Sequence, residues 1–313
     1  MKVAITGASG YVGSLLVRAH AARGDAVHAL ARDAATVPAL PGVTPYVADL
    51  GAPEDVPDTF FEGAAVLYHC AAEIARQEVM QAVNVEATRA LLTRARGMVG
   101  HWVQLSSLSV YGTPRAGVID EESLANPHTR YAQTKLDSEA LVADLGRGAF
   151  TCTIVRPATV VGPGMRNQSL RALVDAVGRG RFRFIGAPGA LFNGVHEEDM
   201  VEALMLCATR PEAHGRSYNV SEDVPIERLI GAIASALGHP GRPGRIPEGL
   251  ARSAAQISRL MPAFPLTPAR VDALTSRVAY RSARIQRELG FRRRKSVEEA
   301  VREIAARRRT GAS

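Results

Sequence analysis

The stretch Thr6-Gly7-Ala8-Ser9-Gly10-Tyr11-Val12-Gly13 constrains this chain more than any other. It follows the apolar run Val3-Ala4-Ile5 and leads into Leu15-Leu16-Val17. A strand that runs into three glycines and reopens as a helix has few uses. The glycines let the backbone turn tightly and approach a pyrophosphate, whose charge then sits at a helix N-terminus where unpaired N–H groups point. A second apolar run follows at 26–31, at the spacing a βαβ unit requires, so Gly7, Ser9, Gly10, Tyr11, Val12 and Gly13 are expected to hold a dinucleotide.

Short β-branched runs then alternate with longer Ala/Leu-rich stretches, the pattern of a parallel sheet covered on both faces. Strands are expected near 2–6, 26–31, 43–47, 64–70, 100–106 and 151–156, with helices near 11–23, 77–97 and 128–146. After Arg156-Pro157 the pattern changes, with helices expected at 168–179 and 197–209 around a short strand near 182–185. Beyond Asn219 the chain reads as mostly helical, ending in an amphipathic helix from Ser296 to Arg309. The expected fold is α/β, a doubly wound parallel sheet with a smaller, mostly helical C-terminal part. Its dinucleotide-binding domain would comprise 1–165 plus about 193–222, and its substrate-binding domain about 166–192 plus 223–313.

The chain carries 38 Lys+Arg against 31 Asp+Glu, and this surplus of 7 invites a nucleic-acid reading. From Arg277 onward there are 12 basic and 4 acidic residues, a surplus of 8, so the first 276 residues sum to −1. No helix-turn-helix, zinc or RNA-binding aromatic motif accompanies that charge, and no nucleic-acid partner is expected. No apolar run approaches the roughly 18 residues that span a bilayer. The three cysteines (Cys70, Cys152, Cys207) have neither a disulfide framework nor metal-ligand spacing, which points to a reducing cytoplasm and no metal. Only three of the 38 basic residues are lysines: Lys2, Lys135 and Lys295.

One of those lysines stands in Tyr131-Ala132-Gln133-Thr134-Lys135, which places a phenol and an ammonium on one face of a helix. A tyrosine is a poor acid–base group near neutrality unless a cation stabilises its phenolate, and a compact ammonium suits that task better than a guanidinium. Upstream, Ser106-Ser107-Leu108-Ser109-Val110-Tyr111-Gly112 ends a strand at the sheet's carboxyl edge, where open α/β sheets bind ligands. Any of the three serines could hold a substrate oxygen there. At the end of the second strand, where a carboxylate would grip the 2′-hydroxyl of NAD, stand Ala31 and then Arg32. This favours the 2′-phosphate of NADP, with NAD as the alternative through Asp33. Asp49, closing the third strand before Leu50, is placed for an adenine contact or for capping a turn.

Together these motifs resemble the short-chain dehydrogenase/reductase superfamily, and the length and later motifs resemble its extended, epimerase/dehydratase-type branch. Those later motifs include Val66 to Ala72, Asn84-Val85-Glu86-Ala87-Thr88, Val155-Arg156-Pro157-Ala158, Val195-His196-Glu197-Glu198-Asp199 and Tyr218-Asn219-Val220. The resemblance implies that Ser107, four residues before Tyr111, polarises the reacting oxygen while Tyr131 passes the proton. Lys135 would bind the nicotinamide ribose and lower the Tyr131 pKa, and Asn84 would support the relay. Leu50, Ala71 and Ala72 would line the cofactor, and Pro157 and Ala158 its nicotinamide. Ser109, Tyr111, Asn167 and Arg183 would meet a small-molecule substrate, and a homodimer through the helices containing Asn84 and Tyr131 is a family expectation.

Two departures bear on the reaction. Dehydratases of this branch carry Asp-Glu where this chain has Leu108-Ser109. Sugar-nucleotide epimerases place a diphosphate arginine where this chain has Ala190-Leu191-Phe192-Asn193-Gly194. NADPH-dependent reduction of a carbonyl, or the reverse alcohol oxidation, is therefore expected. Nucleotide-sugar 4-epimerisation or 4-ketoreduction is the alternative, with Arg166 or Arg183 replacing the missing cation. A non-catalytic NADP-binding regulator would have no need of Ser107, Tyr131 and Lys135 together.

Overall fold

A computed structural model describes residues 1–165, 167–238, 243–256 and 266–310. The first half builds, in order, β1 (Lys2–Thr6), α1 (Tyr11–Ala22), β2 (Ala26–Ala31), β3 (Val43–Val47), β4 (Ala64–His69), α2 (Ala87–Arg94), β5 (Val99–Leu105), β6 (Ala116–Ile119), α3 (Arg130–Leu145) and β7 (Thr151–Pro157). There follow β8 (Thr159–Val161), α4 (Gln168–Gly178), β9 (Phe184–Ile185), β10 (Leu191–His196), α5 (Glu197–Thr209), β11 (Arg216–Val220) and β12 (Glu222–Pro225). The chain closes with α6 (Ile226–Ala236), β13 (Arg245–Ile246), α7 (Glu248–Gln256), α8 (Pro268–Thr275), β14 (Arg277–Tyr280), α9 (Ala283–Leu289) and α10 (Val297–Thr310).

Seven strands form one sheet in the order β11-β7-β5-β4-β1-β2-β3, all parallel. Alternation of side chains along each strand explains its two-sided cover. Val3 and Ile5 pack under Leu16 and Val17 of α1 and Leu204 of α5. Ala4 faces the other way with Trp102, joining Leu91 and Leu92 of α2 and Val142 of α3. The chain winds from β1 outward to β3, then crosses back to β4 on the other side of β1. The resulting switch point leaves a crevice at the carboxyl ends of β1 and β4, where such sheets take ligands.

The fold corrects two expectations and adds short strands to the mostly helical region beyond Asn219. The helix read at 77–97 is a 3₁₀ turn at Gln77–Val79, a π-helical turn at Ala82–Glu86, and only then α2. The main sheet has a seventh strand, β11, whose pairing with β7 sets Val220 opposite Pro157. The region beyond Asn219 also contains short strands: β14 pairs with β6, β12 with β10, and β13 with β9, tying the C-terminal part to earlier segments. The terminal amphipathic helix is found as α10, packed on α6 through Val297, Ala300 and Val301. Among the described residues no helix is long and apolar enough to cross a membrane, and no group of His, Cys, Asp and Glu is arranged to hold a metal.

Candidate active site

The glycine turn lies in the switch-point crevice. Gly7 has φ +66°, and a Cβ on it would stand 2.7 Å from the Ala71 nitrogen. A Cβ on Gly13 would stand 2.2 Å from the Gly7 carbonyl oxygen, so both positions need a bare backbone. The Gly10 N–H donates to the Gly7 carbonyl at 2.8 Å, closing the turn. No side chain caps the N-terminus of α1. The cradle that a dinucleotide diphosphate requires, with close backbone and N–H groups at a helix start, is therefore present. Beside it opens a recess of about 540 Å³, walled by Ser9, Gly10, Tyr11, Ser14, Glu197 and Arg307 among others. The Tyr11 hydroxyl donates to Glu197 across this recess. Val12 lies in the first turn of α1, and the Ala71 N–H donates to the Thr6 hydroxyl at 3.2 Å, bringing the β4 end and Ala72 beside the cradle.

At the end of β2, Arg32 is exposed. The Asp33 carboxylate accepts from the Ala35 N–H at 2.9 Å, capping the 3₁₀ turn Ala34–Thr36. One of its oxygens is thus already engaged. Asp49 accepts from the Gly51 N–H at 2.9 Å, a turn cap of the kind weighed from sequence, while Leu50 beside it is buried.

Thr129 starts α3 by accepting the Ala132 N–H at 3.1 Å, which sets Tyr131 in the first turn and Lys135 one turn on. Lys135 is 3 % exposed, and its ammonium donates to the Leu105 carbonyl at 2.7 Å. Burial lowers its pKa to about 8, against the pull of Cys70 and Glu139. Burial pushes the Tyr131 phenol up to about 12, and a hydrogen bond with Ser107 opposes that rise. The Ser107 hydroxyl also accepts the Ser109 N–H at 3.1 Å, capping the turn Leu108–Tyr111. Behind Lys135, burial holds His69 neutral, pulling it down to about 3 with Lys135 adding to the effect. Its ring lies 2.8 Å from the Thr6 hydroxyl and 3.0 Å from that of Thr88.

Asn84 lies in the π-helical turn with its side chain fully engaged. It accepts the Glu73 N–H at 2.7 Å and donates to the Glu73 carbonyl and the Thr134 hydroxyl, each at 3.0 Å. Its carbonyl accepts from Thr88 at 2.7 Å and Ser138 at 2.6 Å, so this residue binds the loop after β4 to α3. Pro157 ends β7, and the Ala158 N–H donates to the Val220 carbonyl at 2.9 Å, fixing both at the carboxyl edge.

The residues expected to meet substrate are less uniform. Ser109 presents a buried hydroxyl with no hydrogen-bond partner. Tyr111 is enclosed rather than open, 4 % exposed, its hydroxyl donating to Asn219 at 3.0 Å and accepting from Arg156 at 2.7 Å. Asn167 caps α4 by accepting the Leu170 N–H at 3.1 Å. Arg183 is exposed and donates to the carbonyls of Gly180 and Phe182 at 3.0 and 2.7 Å. Arg166 lies outside the described residues. The reading from sequence passed over Glu139, although it stands four residues after Lys135 as Lys135 stands four after Tyr131. That ladder was the available signal.

The model of the NAD dependent epimerase/dehydratase family matches residues 3–221. The chain belongs to this family. A relative from Methylococcus capsulatus, sterol demethylase protein B, is 34 % identical with 93 % of each chain covered. A 4-hydroxy-2-methyl-3-oxo-4-farnesyl-3,4-dihydroquinoline-1-oxide ketoreductase from Stigmatella aurantiaca is 29 % identical, covering 93 % of this chain and 92 % of its own. The fold matches a short-chain dehydrogenase/reductase superfamily protein from Agrobacterium tumefaciens, solved with bound NAD, at TM-score 0.77 and 22 % identity over 99 % of this chain and 98 % of that one. The protein is thus an NAD(P)-dependent enzyme of the oxidoreductase/epimerase type.

Proposed function

We propose that this enzyme reduces an apolar small-molecule carbonyl with NADPH, or oxidises the corresponding alcohol. The observation that carries the reading is that Tyr131, whose charged form Ser107 favours, is followed one turn later on α3 by the buried Lys135 ammonium. The nicotinamide cofactor supplies or accepts the hydride when bound. Ser107 then holds the carbonyl oxygen by its hydroxyl, and Tyr131 donates a proton to that oxygen as it gains charge. Lys135, one helical turn along α3, would bring a positive charge to the same face, so that giving up the proton would cost less. The glycine turn from Gly7 to Gly13 would hold the diphosphate, and Pro157 and Ala158 would line the nicotinamide.

NADP is favoured because Arg32 is exposed at the end of β2 while Asp33 caps its own turn. An apolar substrate is favoured by two things. The Ala190–Gly194 segment has no cation for a sugar nucleotide, and the two relatives above are named for a sterol and for a farnesylated ketone. The test is nicotinamide oxidation by purified protein against sterol ketones, long-chain β-keto esters and UDP-sugars. Stoichiometric NADPH consumption with the apolar ketones is expected. Interconversion of a UDP-sugar without net loss of cofactor would replace this reading by epimerisation.

A further inference from the structure

Behind the Ser107–Tyr131–Lys135 set lies a buried carboxylate with three connections. Glu139 is 4 % exposed and sits one helical turn beyond Lys135 on α3. Its oxygens accept from Arg156 Nε at 2.9 and 3.2 Å and from Arg156 Nη2 at 2.6 Å, a forked pair of the kind only a guanidinium makes. Glu139 also accepts the hydroxyl of Ser106, the residue before Ser107. Arg156 precedes Pro157, stacks over the Tyr111 ring at 5.2 Å and donates to its hydroxyl, and Tyr111 closes the turn that Ser107 begins. One carboxylate therefore holds both neighbours of the reacting centre in the chain: Ser106 on β5's end and Arg156 on β7.

We propose that Glu139, clamped by Arg156, is a positioning residue that sets the Ser107 turn and the Pro157–Ala158 wall in register with Tyr131 and holds the charge on Lys135. This rests on the oxidoreductase reading above for its consequences in turnover. The electrostatic part stands apart from it. Lys135 faces Cys70 and His69 from the end of β4 and Tyr131 and Glu139 from its own helix. Of these Glu139 is the one carboxylate, held in an ion pair with Arg156, and burial raises the Cys70 thiol to about 12. Glu139 in turn is forked onto Arg156, whose opposite charge works against its pull on Lys135. Taking away the carboxylate therefore lets the ammonium lose its proton at lower pH, whereas taking away the guanidinium has the opposite effect.

The scarcity of lysine makes this measurable without any substrate. Protein grown on isotope-labelled lysine gives three side-chain signals, from Lys2, Lys135 and Lys295, and the one lost in Lys135→Met is assigned. In Glu139→Gln the Lys135 titration midpoint moves down, and in Arg156→Met it moves up. A midpoint that stays in place in both variants, or moves the same way in both, overturns the proposal. Under the reductase reading Glu139→Gln also lowers kcat by about tenfold while NADPH affinity by fluorescence changes less than about threefold, because positioning and not binding is lost. Ser106→Ala keeps every charge and covers the case where the charged pair cannot be broken without unfolding: kcat falls several-fold with the Lys135 midpoint unmoved, and full kcat overturns the positional claim. If wild-type protein turns over no carbonyl, the function reading fails while the two midpoints still decide the network.

Discussion

At the scale of the residue, the active-site lysine is held against its own solvation preference. Its pKa of about 8 against an ordinary 10.5 means the folded protein binds that proton less tightly than the unfolded chain does. Stability therefore rises with pH between those values, and the full cost is present at pH 7. At about 1.4 kcal/mol per unit, the 2.5-unit difference is on the order of 3 kcal/mol. Lys135→Met removes that cost but strips the Leu105 carbonyl of its donor, which returns about 1–2 kcal/mol. The net expectation is a higher urea midpoint at pH 7 together with lost turnover, and a lower midpoint would show that the ammonium is not strained. Tyr131→Phe is expected to keep NADPH affinity by fluorescence and to lower kcat about a hundredfold or more, as loss of the proton donor should; wild-type kcat would remove Tyr131 from the mechanism. The Tyr131–Lys135 pair was legible in sequence because a four-residue helical interval is local information. The Glu139–Arg156 fork was not, since its partners belong to α3 and β7 and meet only once the sheet has formed. The partners of Tyr111 were hidden for the same reason: its hydroxyl is taken up by Arg156 and Asn219, and Asn219 lies 108 residues away.

At the scale of the element, the loop joining β1 to α1 depends on backbone that cannot yield. The atom a Gly13 side chain would meet is the Gly7 carbonyl, part of the turn itself. Gly13→Val is therefore expected to abolish cofactor binding by equilibrium dialysis and to lower the melting temperature; retained NADPH binding would mean the diphosphate lies elsewhere. The end of β2 offers a milder probe. Arg32→Ala should weaken NADPH by about tenfold, the share of a charge-assisted phosphate contact, and leave NADH nearly unchanged, whereas equal losses for the two would show that Arg32 does not read the 2′-phosphate. Most of the strands that sequence revealed have long buried runs, as β1 and β4 do, while β3 was found by its β-branched Val-Thr run although none of its residues is buried. The edge strand β11 begins with exposed Arg216 and half-buried Ser217, so its apolar run is too short to announce it. The π-helical turn at Asn84 carries no sequence signature at all. It arises where the Asn84 carbonyl accepts the side chains of Thr88 and Ser138, contacts that need α3 already in place.

At the scale of the whole molecule, the basic surplus after Arg277 is matched to acids elsewhere on the surface. Arg294 pairs with Glu202 at 3.0 Å and Lys295 with Glu198 at 2.7 Å, both on α5, and Arg284 pairs with Glu122. Exposed pairs of this kind contribute little, so the arm docks mainly through the apolar face of α10. The stronger pH dependence lies inside. His69 and His101 are buried and held neutral, with burial drawing their pKa values from 6.5 to about 3 and about 4. The unfolded chain binds protons at these sites from pH 6.5 downward and the folded protein does not, so stability falls as pH drops through that range. At pH 5 each site costs about 2 kcal/mol, from 1.5 units at about 1.4 kcal/mol. His20, lowered chiefly by burial although Asp25 favours its charge, acts in the same direction. Glu121, raised by burial, acts against it and offsets part of the loss. Calorimetry at pH 7 and pH 5 should therefore give a melting temperature several degrees lower at the acid value, and His101→Asn should flatten the difference. Equal melting temperatures at the two pH values would mean that one of these imidazoles charges in the folded state, which in the case of His69 would put a second cation beside Lys135 and undo the electrostatics of the site.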